Sequence, residues 1–196
     1  MGVSRRWDAK GIVRAERSYE DGEPSGMSRI WNAAGILTEE AFMLNGKWSG
    51  TRTRWDDEGR VTFIGNYADG LLDGELSIYH ENGNLRQCGL WVAGKQEGVH
   101  VGWSESGDKL WETEYVGGVP SGVHTSFYEG GFKRAVAEFQ DGLPVGAHGL
   151  WSDTGRLMAE GVFHDGERED TWRYWRSGGV PASADDDGSL PVDDSN

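Results

Sequence analysis

Apolar and polar positions along the chain return on a fixed count. An aromatic residue recurs every 24 positions, at Trp7, Trp31, Trp55, Tyr79, Trp103, Phe127, Trp151 and Trp175. Four residues after each stands a glycine, from Gly11 and Gly35 through to Gly179. A second apolar column runs Tyr19, Met43, Tyr67, Trp91, Tyr115, Phe139 and Phe163, each three residues before another glycine. A third glycine closes six units at 26, 50, 74, 98, 122 and 146, and Asp170 replaces it in the seventh. The register holds without an insertion, so the chain is an array of repeats.

Each unit predicts a strand, a tight turn, a longer strand and a glycine-rich return. In the unit around Trp103, "VHVGW" at 99–103 passes through "SESG" into "DKLWETEY" at 108–115, and "VGGVPSG" leads onward. Glycines at fixed offsets suit turns that need positive φ. Strands joined by such short loops are antiparallel neighbours. The prediction is an all-β fold, an extended single-layer antiparallel meander of about seven 24-residue hairpins. Fifteen strands in sequence would span about 70 Å. Few glycine-free stretches are long enough for a helix.

Alternation also predicts which side chains share a face. Small residues recur at Ala41, Gly65, Gly89, Ala137 and Gly161, on the same face as the second apolar column. They leave room for rings from adjoining strands to lie over the backbone. The outer aromatic column is expected on that face too, giving two parallel ring ladders on one side of the sheet.

Composition agrees with such an array. The 196 residues include 31 glycines and 10 tryptophans, against five prolines and one cysteine. Cys88 alone excludes a disulfide framework and a multi-cysteine metal site. No apolar run reaches membrane-spanning length and the first residues carry no signal core, so a cytoplasmic protein is expected. The net charge is −14. Residues 177–196 hold five Asp and no Lys or Arg, and are expected to form an acidic, disordered tail after a repeat domain at 1–176. The acidic balance disfavours nucleic acid and anionic lipid as partners and favours a basic protein.

The segment "YHENGNLRQCGLWVAGKQEGVH", 79–100, resembles the MORN repeat, in the longer bacterial variant found in YwqK-type antitoxins. The similarity lies in the aromatic-x-x-x-Gly-x-Leu turn, the ring before x-x-Gly, and the Gly-x-x-x-Gly return, and it extends over about 3–176. It implies an antitoxin or immunity partner of a toxin. Met43, Lys109, Lys133 and Asp170 depart from the pattern, the last as terminal repeats do.

Four features invite a functional reading. His100, His124 and His148 occupy one column. Equivalent strands of adjacent units lie about 9.5 Å apart, too far for one zinc ion, and Trp172 holds the same place, so the column reads as a packing slot. Two residues after each outer ring, Asp57, Glu81, Glu105, Glu129 and Asp153 place a carboxylate on five consecutive hairpin tips, an acidic ridge suited to a basic surface. Trp48, Trp111 and Trp172 fall outside the ladders and are candidate anchors for a partner. The edge "TWRYWRS", 171–177, either pairs with a partner or end to end with another copy, or is covered by the tail. No catalytic constellation and no cofactor site is legible. The expected function is a protein-binding module, an antitoxin or immunity protein that occludes a basic toxin, with a self-assembling scaffold as the alternative.

Overall fold

The computed structural model describes residues 1–170, 172–175 and 181–182. The chain runs β1 (Gly2–Trp7), β2 (Val13–Glu20), β3 (Glu23–Trp31), β4 (Leu37–Leu44), β5 (Lys47–Trp55), β6 (Val61–Ala68), β7 (Leu71–Tyr79) and β8 (Leu85–Val92). It continues through β9 (Lys95–Trp103), β10 (Lys109–Val116), β11 (Val119–Phe127), β12 (Lys133–Gln140), β13 (Leu143–Trp151) and β14 (Leu157–His164). Each strand pairs antiparallel with the next in sequence, so the first fourteen form one meander. The expected single-layer all-β array is the observed fold.

The two kinds of turn differ as the glycines require. After each outer ring from Trp7 to Trp151 a three-residue loop closes on a left-handed glycine, as at Gly59, φ +81°. There Gly59 donates to the Asp56 carbonyl at 3.1 Å and Asp56 N–H donates to the Arg60 carbonyl at 2.9 Å. The return to the next unit is tighter than the sequence pattern indicates. It is a two-residue turn with both residues left-handed, as in Asp69 (φ 50°) and Gly70 (φ 84°). That geometry matches strand twist and needs glycine at the second position. The third glycine is not part of this turn. It lies inside the longer strand at a shift of register, where Ser25, Gly26 and Met27 face Ser18 alone.

The array ends irregularly. β15 (Glu167–Arg168) and β16 (Arg173–Trp175) both pair with β14, two fragments of one interrupted strand. Asp170, standing where other units have glycine, falls in the break. β17 (Pro181–Ala182) then pairs with Tyr174 and Trp175. The rest of the predicted acidic tail, and Thr171, Ser177 and Gly179, lie outside the described residues.

Register separates the side chains into two unlike faces. Ser28, Glu39, Ala41, Met43, Leu76, His100, Thr113 and Ala159 are buried, and all stand on the face of the second apolar column. The exposed aliphatic and aromatic side chains on strands all stand on the other: Val3, Phe42, Leu44, Leu71, Leu90, Val92, Val99, Val116, Val119, Val123, Leu143 and Val162, with Trp7. The first is the packed face of the sheet and the second its open face.

The outer aromatic column corrects the expectation of two ladders on one side. Trp151 covers Gly149, two residues earlier in its strand, and both lie on the open face, opposite His148. A one-residue bulge beside each tip turn reverses the parity that simple counting across the turn assumes. The rings from Trp7 to Trp151 are aligned by register, but none of the ring pairs in contact among the described residues belongs to that column.

Candidate interaction surfaces

From Trp7 to Trp151, the side chain directly after the outer ring either caps its own hairpin tip or reaches the next unit. The Oδ1 of Asp8 accepts from the backbone N–H groups of Lys10 (2.9 Å) and Ile12 (3.0 Å), and Asn32 and Asp56 do the same in their units. Ser104 and Ser152 cap with Oγ, at 3.1 and 3.2 Å. His80 and Tyr128 instead reach the next unit, bonding the carbonyls of Trp103 (2.9 Å) and Trp151 (3.0 Å). The bonds from Ile12 and the Arg14 guanidinium hold the Asp8 carboxyl below its ordinary range. Burial pushes the Asp56 carboxyl up, but bonds from Arg60 outweigh it and the net shift is downward.

The five predicted ridge carboxylates Asp57, Glu81, Glu105, Glu129 and Asp153 are all exposed, one per unit, along this edge. They are not alone there. Arg60, Arg86, Lys109, Lys133, Arg134 and Arg156 stand on the same end of the sheet, just after the tips. Arg60 pairs with Asp56 (2.6 Å) and Glu58 (2.8 Å), and Lys109 pairs with Glu112 (2.8 Å). The five exposed acids thus stand in an edge that is mixed in sign once neighbouring columns are placed beside them.

The histidine column is a row of wedges on the packed face. A Cβ on Gly89 would fall on the His100 ring, which is fully buried and bonds the Leu90 carbonyl through Nε2 at 2.8 Å. His124 Nδ1 meets Thr113 Oγ1 at 2.6 Å. His148 bonds the Glu138 carbonyl at 3.3 Å, and burial lowers its pKa from the ordinary value. The rings alternate with the second column: His100 lies 5.1 Å from Tyr115, Phe139 lies 6.1 Å from His148, and His148 lies 4.4 Å from Phe163. Among the described residues no group of three His, Cys, Asp or Glu could hold a metal ion.

The three candidate anchor tryptophans are half-buried within the packed face. Trp172 covers Gly161 and lies 5.6 Å from Phe163, so it continues the histidine–aromatic ladder. Trp111 covers Gly102, its partner on β9. Trp48 faces Met43 and carries the Arg52 guanidinium 4.8 Å above its ring. Arg52 in turn donates to Glu39 at 2.7 Å, and Arg54 donates to the same oxygen at 3.0 Å. Burial raises the Glu39 carboxyl, and the two guanidiniums overcome that to hold it below the usual range.

The open face is absent from the features that the repeat pattern singles out. Its signal was available in the parity of the strands: Leu90 and Val92 alternate with Gly89 and Trp91, so one strand has apolar residues on both sides. In a single-layer sheet, apolar residues on both sides leave one set without cover.

Residues 72–92, one hairpin of the array, match the family model of the MORN repeat variant. No curated protein matches the chain. No helix among the described residues is long and apolar enough to cross a membrane. The same 24-residue register that frames the matched hairpin runs through the sheet on either side of it, so the hairpin that matches the MORN repeat variant sits within an array of like hairpins.

Proposed function

We propose that the chain is a protein-binding repeat module, acting in the cytoplasm as an antitoxin or immunity protein that occludes a basic toxin. The MORN repeat supports a binding module. The observation that carries the choice of partner is the row of exposed carboxylates at Asp57, Glu81, Glu105, Glu129 and Asp153 on a chain of net charge −14. A stiff sheet bearing such a row lies against a cationic substrate-binding surface and keeps the substrate out. It acts by contact and needs no chemistry of its own. Long-range attraction would speed encounter and make it salt-dependent.

The test begins with the protein that co-purifies with the tagged chain. Reversing the five ridge acids to Lys should slow association with that protein about tenfold or more at low salt and leave the thermal midpoint nearly unchanged. An unchanged association rate refutes the ridge as the contact. End-to-end self-assembly through 171–175 is the less favoured arrangement, because β17 already pairs with Tyr174 and Trp175.

A further inference from the structure

We propose that the open face of β8–β11 is a docking surface for a basic amphipathic helix of a partner protein; this rests on the reading that the partner is a basic protein and gives it a second contact away from the tips. Leu90, Val92, Val99, Val116, Val119 and Val123 are 42–53% exposed and neighbour one another on these four strands. Val116 and Val119 stand directly opposite one another. Their other cross-strand neighbours are mainly carboxylates: Leu90 faces Glu75 and Glu97, Val99 faces Glu114, and Val123 faces Glu138. Lys95, opposite Val92, is the one cation on the two-residue-turn half of this face between β7 and β13, among the described residues.

Charge decides among occupants. A second copy laid face to face would bring the two carboxylate rows together, and an anionic membrane would be repelled. A partner with aliphatic side chains flanked by Lys or Arg matches both features. The backbone groups of β8–β11 are engaged by strands on both sides, so this face offers side chains and no free edge. An extended segment placed on it would leave its own N–H and C=O groups unpaired against aliphatic surface. A helix satisfies those groups internally and presents one apolar stripe.

The probe is a labelled helical peptide of about 18 residues, five turns, with a leucine stripe and a lysine face, compared with the same peptide carrying glutamate for lysine. Fluorescence anisotropy with the full chain should show binding of the lysine peptide and none of the glutamate one. V99S with V123S, and separately E114Q with E138Q, should each weaken binding about tenfold, while Lys at the five tip positions leaves a face variant's deficit unchanged. Circular dichroism melts identify any variant that has merely unfolded, and E114Q/E138Q removes no apolar contact. The proposal is overturned if the peptide binds all face variants as it binds the native chain. It is equally overturned if sedimentation shows a dimer that V99S/V123S dissociates, because a second copy would then cover the face. Peptide binding that fails only with the tip reversals would leave the ridge standing and remove the face.

Discussion

Gly89 shows how much one residue carries in this array. Its φ is not left-handed, so alanine would fit the backbone, and in an empty sheet alanine would be the better residue. What forbids it is the His100 ring lying on the glycine, anchored by the bond from Nε2 to the Leu90 carbonyl. G89A should therefore destabilise the protein by about 1–3 kcal/mol, as overpacking does, read from the denaturation midpoint. Adding H100A removes the obstacle, so the double variant should lose less than the sum of the two single changes. Simple additivity would show that the glycine serves some other purpose. The small residues at Ala41 and Gly65 were legible as room for rings; which ring enters which space was not.

Across the strands, the same logic makes the histidine row a unit. His100, His124 and His148 are wedged between β8 and β14 by bonds to carbonyls and a threonine hydroxyl, and burial holds the His148 pKa below its ordinary value. A depressed histidine pKa means that the unfolded chain takes up the proton first. Stability is then full above the unfolded value of about 6.5 and falls as the solution is acidified through it. Chemical denaturation at about pH 7.5 and about pH 5.5 should show the loss, and H148N should flatten the slope in that window. An equal slope in H148N assigns the acid sensitivity elsewhere. The carboxylates of Asp8, Glu39 and Asp56 act in the same direction at lower pH, because their lowered values also make the unfolded chain the better proton acceptor.

At the scale of the molecule, each strand of the meander contacts its sequence neighbours, so stability is close to a sum over units and interfaces. A local fault should stay local. In G89A, amide exchange should accelerate on β7–β10, and β1–β4 should keep their protection. Uniform acceleration along the chain would mean a single cooperative body. The same linearity explains the binding proposals: tips and open face are long repeated surfaces, and a partner can engage several units while each contributes a modest contact. The split β15 and β16 and the short β17 end the ladder where Asp170 breaks the glycine column.

The repeat, the antiparallel order, the tip turns and the acids upon them follow from the sequence alone, because 24-residue periodicity and left-handed glycines are local constraints that tertiary contact does not override. The third glycine, read as part of the return, lies instead within the longer strand. The sequence did not decide the faces. A bulge beside each tip turn shifts side-chain parity by one, and one residue is enough to send the outer rings to the side opposite the second column. Trp48 and Trp111 keep the face of the second column by alternation and cross-strand pairing, and Trp172 joins them by lying over Gly161. Parity depends on register between strands, which only the folded sheet sets.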